Sequence, residues 1–242
     1  MHYTRAPIAE AVIDLHVEFP REPEMSTLEN YCRGLHDQFP NIQRINSLQL
    51  SMGLNEDHRL SSSSNASAVG FRLTSAKNDR VAQVRRNGVS YSHLAPYSDW
   101  EAFAAEARPF FSQFLRALDP SAVKRLAVRY INRIELPIHA DLAQYFTVTP
   151  QIPPFCKAVD GYFLQLVLPQ HDIDGDCKAV VSTGLENAVN ESMFTLLDID
   201  VFTMAELAVD ESAIWAIYDK LRSRKNDLFE AIITDKTRSR IQ

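Results

Sequence analysis

The stretch Ile8–Phe19 reads IAEAVIDLHVEF, and its alternation decides the fold class. Ala9, Ala11, Ile13, Leu15, Val17 and Phe19 fall on one side of an extended chain; Glu10, Val12, Asp14, His16 and Glu18 fall on the other. A period of two is the signature of a strand with one face in a core and one face carrying charge.

The neighbouring segments extend the pattern. Ser26 with Glu29 reads as a capping box opening a helix whose stripe is Leu28, Tyr31, Cys32, Leu35 and Phe39. Ile42–Leu54 reads as a second long strand with Leu48, Leu50, Met52 and Leu54 on one face. Ser61–Ser64 with Asn65 predicts a flexible loop. Val69, Phe71 and Leu73 alternate, and Arg80–Arg85 and Val89–Leu94 flank the hairpin signal Asn87-Gly88. Ser98 with Glu101 opens a helix bearing Phe103, Ala107, Phe110, Phe111, Phe114 and Leu118. Then follow a strand over Val123–Leu136, a short helix over Ala140–Tyr145, and an irregular connection at Pro150, Pro153 and Pro154. Strands come next at Tyr162–Leu168, Lys178–Thr183 and Phe194–Phe202. Asp210 caps a helix with Ile214, Ile217, Tyr218, Leu221 and Leu228, and Ala231–Thr234 reads as a last short strand. Short turns between strands favour antiparallel pairing. The expectation is an α+β fold: long antiparallel strands in a twisted sheet with packed helices. It forms one domain over 1–242, built from two similar βαβββα halves, 1–120 and 121–242.

Composition bounds the function. A chain of 242 residues with 45% hydrophobic and 23% charged residues builds a sizeable core. No apolar run approaches the roughly 18 residues of a membrane span. Met1–Arg5 lacks the apolar stretch of a secretory signal, so the expected location is the cytoplasm, with no membrane partner. The three cysteines form no Cys-x-x-Cys pair, which argues against a zinc ribbon or thioredoxin-like site, and their odd number fits a reducing compartment. Seven glycines supply no phosphate-cradling turn between a strand and a helix, and no cofactor is expected. A net charge of −6 argues against a globally basic nucleic-acid binder. Tyr218–Gln242, with seven Lys/Arg against four Asp/Glu, is the one stretch that reads as a contact for an acidic partner or a phosphate backbone.

The candidate chemistry lies on strand faces. Arg129, Ile131, Arg133 and Glu135 share one face of VRYINRIEL. Guanidinium forks match carboxylates and phosphates, so Arg129 and Arg133 are either an anion site or one side of a salt-bridge network. In FTLLDIDVF, Asp198 and Asp200 share a face with Phe194, Leu196 and Phe202, and carboxylates there need partners. The simplest arrangement pairs the two strands, arginines facing aspartates. A divalent metal held by Asp198, Asp200, Glu10 or Asp14 is the weaker alternative, and no metal site is assigned. Asp235 and Lys236 are added to the candidate cluster. HDIDGD at His171–Asp176 fails calcium-loop spacing and reads as a hairpin turn.

The stretches APIAEAVID (Ala6–Asp14), LAPYSDW (Leu94–Trp100), RYINRI (Arg129–Ile134), LDIDVF (Leu197–Phe202) and ITDK (Ile233–Lys236) resemble a sporadically distributed bacterial family of about this length with no assigned activity. Such a distribution implies accessory loci, defence or toxin–antitoxin neighbourhoods among them. Three readings follow. In the first, a non-catalytic binding or regulatory protein acts through a protein partner or a second copy of itself, the charge clusters holding the fold together. In the second, an enzyme or receptor for a phosphorylated small molecule uses the Arg/Asp cluster. In the third, the basic C-terminal stretch binds nucleic acid. The absence of a recognised catalytic constellation favours the first.

Overall fold

The computed structural model describes residues 3–54, 60–153, 155–156, 159–173, 175–186 and 192–242; for 47–54 and 60–66 it describes the backbone alone. The facing of Leu48, Leu50, Met52 and Leu54, and the placement of Pro154 and Asp174, lie outside that description.

The alternating stretch is strand β1 (Ile8–Glu18), with Ala11, Ile13, Leu15 and Val17 buried in the core. Helix α1 (Met25–Arg33) leads into a meander of β2 (Asn41–Leu54), β3 (Leu60–Thr74), β4 (Arg80–Arg85) and β5 (Gly88–Leu94), closed by α2 (Trp100–Leu118). The second half runs β6 (Ala122–Pro137), a single 3₁₀ turn (Leu142–Gln144), β7 (Phe163–Pro169), β8 (Asp176–Leu185), β9 (Ser192–Leu207), α3 (Glu211–Ile232) and α4 (Asp235–Ile241). The nine strands among the described residues join one antiparallel sheet in the order β2-β3-β4-β5-β1-β6-β9-β8-β7. The fold is α+β.

The order reads alike outward from the central β1–β6 pair. In each direction the opening strand lies beside the last strand of its own meander, β1 beside β5 and β6 beside β9. The halves differ from the expected βαβββα in three places. The first has four meander strands, the second replaces its first helix by the 3₁₀ turn, and the second adds α4 after α3.

Helices α1, α2 and α3 bury against one sheet face. Phe111 of α2 stacks on Tyr218 of α3 at 6.3 Å between ring centroids, and Phe39, just beyond α1, meets Phe110 at 5.9 Å. The Tyr218 hydroxyl, fully buried, donates to the Asp14 carbonyl at 2.9 Å and pins α3 to β1. Gly88 lies where β5 passes β1 most closely: its φ is +152°, and a Cβ there would stand 2.1 Å from the Leu15 carbonyl oxygen. Only a residue without a side chain fits.

Several local expectations are corrected. Ser61–Asn65 is not a loop but part of β3, paired residue by residue with β2; a backbone ladder does not depend on serine's weak strand preference. Ser26 does not cap α1. The helix starts at Met25 with Glu24 at the cap, so the Ser26 hydroxyl sits inside the first turn. The cap of α2 is Asp99, not Ser98: its carboxylate accepts from the Ala102 amide at 2.7 Å, where negative charge meets the positive end of the helix dipole. The two turn residues before β5 are Arg86 and Asn87, with Gly88 already paired to Arg85. Ala231–Thr234 is not a strand. The apolar stripe carries α3 through Ile232, and Ile233 makes one bridge, to Phe146. The basic tail folds as α4, held by buried Thr237 and Ile241 four residues apart.

Candidate functional site

Two groups of polar residues stand out, one on each face of the central strands. The first is a ladder of charge on the face away from the helices. Arg85 donates to Asp14. Arg125 bridges two carboxylates, Nη1 to Asp14 Oδ2 at 2.9 Å and Nη2 to Asp200 Oδ2 at 2.9 Å. Arg129 forks onto Asp198, Nε to Oδ1 at 2.8 Å and Nη2 to Oδ2 at 2.5 Å. Arg133 reaches Glu186 at 2.7 Å and lies 3.4 Å from the Phe194 ring centroid. Strands β6 and β9 pair as the charge match predicts, with Arg129 opposite Asp200 in register and its fork turned to Asp198.

Of the eight residues singled out from sequence, six share this face. Glu10 lies on it opposite Ile131 and Leu94, and its charge acts on Arg129. Asp235 and Lys236 do not join them. Asp235 bonds Arg238 at 2.7 Å within α4, and Lys236 Nζ donates to Gln144 Oε1 at 2.5 Å over the Tyr145 ring.

The ladder tunes its carboxylates differently. Burial pushes the Asp14 carboxyl up, but hydrogen bonds and charge from His16 and Arg85 outweigh it and hold the group below the usual range. Asp200 is raised: burial outweighs Arg125 and Arg129, and its Oδ1 is buried without a hydrogen-bond partner. With a depressed folded pKa, Asp14 contributes stability that is present above its unfolded value, about 3.9, and is lost as pH falls through the folded value. Urea unfolding from about pH 4 downward should show wild type losing stability more steeply than Asp14→Asn. Equal slopes would remove Asp14 from the acid limb.

The second group lines a cavity of about 510 Å³ on the helix side. Its walls come from Pro7 and Ile8 ahead of and at the start of β1, Tyr97 and Trp100 at the head of α2, Tyr130 and Asn132 on the inner face of β6, and residues 222–230 of α3. Trp100 Nε1 donates to Asp219 at 2.9 Å and locks the head of α2 to α3. The Tyr97 and Tyr130 hydroxyls bond each other at 2.7 Å. Asn132, 2% exposed, spends its Nδ2 on the Leu197 carbonyl at 3.0 Å.

Lys225 projects into this cavity. It is 8% exposed, its Nζ lies 3.7 Å from the centroid of the Tyr130 ring, and no described residue forms an ion pair or hydrogen bond with it. Burial, then the positive charge of Arg222, pull its pKa down to about 7 against the opposing charge of Glu230. At the mouth, Arg222 sits 3.8 Å from Glu101 and 5.9 Å from the Trp100 ring. Burial also pushes the Tyr97 hydroxyl up to about 12 and that of Tyr130 well above its ordinary value. Both are neutral at physiological pH, and one donates to the other.

Reading strands by their charged faces passes over this cavity, although two signals point to it. Stepping from Ile214 through Tyr218 and Leu221, the buried stripe of α3 arrives at Lys225 before Phe229 and Ile232, which puts a lysine at an apolar position. Asn132 likewise interrupts the apolar face of β6. Arg125 belongs to the same period-two series as Arg129 and Arg133. The wall draws on Ile8 and its neighbours, Tyr97 with Trp100, and Tyr130 with Asn132. Among the described residues no helix is long and apolar enough to cross a membrane. No protein-family model matches the chain, and no curated protein matches it at a significant level of sequence similarity.

Proposed function

We propose that the protein is a binding protein for a small organic acid with a flat, ring-sized body, seated in the cavity beneath α3. The observation that carries this reading is Lys225, a buried amine lining the cavity against the Tyr130 ring that makes no ion pair or hydrogen bond with any described residue, although Asp227 and Glu230 line the same cavity. Burying an ammonium group is costly unless a counter-charge accompanies it, and a tyrosine ring offsets only part of that cost. A ligand carboxylate seated near Lys225 and Arg222 would supply that counter-charge. The aromatic walls and a volume within the usual range of ligand pockets suit a compact aromatic or cyclic body.

The other readings have less support. The forks of Arg129 and Arg133 that would hold a phosphate are occupied by Asp198 and Glu186, which favours a structural role for the ladder. Three of the seven cations of Tyr218–Gln242 are engaged within the chain: Arg224 pairs with Asp172, Arg238 with Glu230, and Lys225 lines the cavity.

Thermal unfolding with benzoate, 4-hydroxybenzoate, phenyl phosphate and neutral benzamide tests the proposal. The acids should raise the wild-type midpoint in a saturable way, benzamide should not, and Lys225→Met should lose the response. No response to any acid, or an equal response in the variant, contradicts the reading.

A further inference from the structure

We infer that Lys225 captures its ligand covalently, its amine condensing with an aldehyde or ketone carbonyl of an oxo acid whose carboxylate is held by Arg222. This rests on the cavity being the ligand site and adds the substrate class and the bond formed.

The geometry separates Lys225 from three other described lysines. Lys124 bridges Glu18 and Glu206, Lys178 bonds Asp176, and Lys236 bonds Gln144; each nitrogen is committed to an oxygen. Lys225 Nζ has an aromatic ring against it on one side and the cavity on the other. With a pKa of about 7, roughly half of it is unprotonated at neutral pH, whereas an ordinary lysine has a free-amine fraction below about one in a thousand. Desolvation beside a second cation is a recognised way of making a lysine nucleophilic. Arg222 lies three residues earlier, on the same face of α3, and lines the same cavity, so one compact ligand can reach both. The Tyr97 and Tyr130 hydroxyls line that cavity as a bonded pair, one donating to the other, which leaves one hydrogen to offer a polar oxygen.

In the condensation the amine lone pair forms a bond to the carbonyl carbon, and the carbonyl π electrons move to oxygen. A proton passes from nitrogen to that oxygen, giving a carbinolamine. The hydroxyl then leaves as water, taking one proton from solvent, while the nitrogen returns its remaining proton as the C=N double bond forms. No oxidant or reductant takes part, and hydrolysis reverses the sequence.

The test treats the full chain at pH 7 with 4-formylbenzoate and cyanoborohydride, which reduces an imine to a stable amine, and maps the added mass by peptide mass spectrometry. Lys225 should be labelled at least about tenfold faster than Lys124 or Lys178, in line with its larger free-amine fraction, and benzoate should slow it. Lys225→Arg keeps a cation, so it should keep the benzoate response and lose the label. Label spread over exposed lysines with Lys225 spared, or label at Lys225 that benzoate does not slow, overturns the inference. If benzoate still raises the unfolding midpoint in that case, the binding site stands and only covalent capture falls. If neither label nor midpoint shift is seen, both fall.

Discussion

Arg125→Ala is expected to destabilise the protein by about 3 kcal/mol, the largest loss of any single change in the charge ladder. Arg125 ties Asp14 of β1 to Asp200 of β9 across the central strands, bonding each at 2.9 Å. Its side chain is 18% exposed and the carboxylates 12% and 22%, so removal strands two acids in a poorly solvated place. Asp200 has least to spare, since burial already raises its pKa and one of its oxygens lacks a partner. The guanidinium also lies 4.5 Å from the Phe202 ring, and alanine removes that attraction as well. Arg133→Ala provides the contrast. Its pair with Glu186 is 41% and 33% exposed, and the expected cost is about 0.5 kcal/mol. Urea midpoints for the two variants should therefore differ widely. Similar midpoints would mean that the ladder does not gain weight toward its centre.

Lys225→Met is expected to act in the opposite direction on stability. A base whose folded pKa is depressed binds fewer protons folded than unfolded, so folding becomes more favourable as pH rises between the two values. The penalty is fully present below about 7 and disappears above the ordinary 10.5. A shift of this size corresponds to about 4 kcal/mol near neutral pH. The ring of Tyr130 returns about 1–2 kcal/mol to the ammonium form. Methionine fills a similar volume with no charge to desolvate, so the variant should be more stable by about 2 kcal/mol at pH 7. The advantage should shrink toward pH 10. The same substitution should abolish the response to benzoate. A residue that costs the fold and is needed for binding is the usual mark of a functional site.

The fold was legible where one face of an element is apolar and the other is not. The alternation of β1 and β6 assigned every inner and outer residue from Ala11 to Val17 and from Val128 to Leu136. It was not legible where tertiary pairing overrides local preference, as at Ser61–Asn65, or where the choice between adjacent caps depends on a one-residue shift, as at Ser98 and Asp99. The ladder was half legible. Alternation places Arg129, Arg133, Asp198 and Asp200 on strand faces, but which fork meets which carboxylate depends on the β6–β9 register. The cavity was the least visible, because its wall gathers Ile8, Tyr97, Tyr130 and Lys225 from segments far apart in the chain, and only the lysine on the α3 stripe and Asn132 on the inner face of β6 announce it.

The central claim is that Lys225 is kept for a ligand and not for the fold. Urea unfolding of wild type and Lys225→Met at pH 7 tests it most directly. The variant should have the higher midpoint. A variant less stable than wild type would show that the buried amine supports the fold, and would contradict the claim.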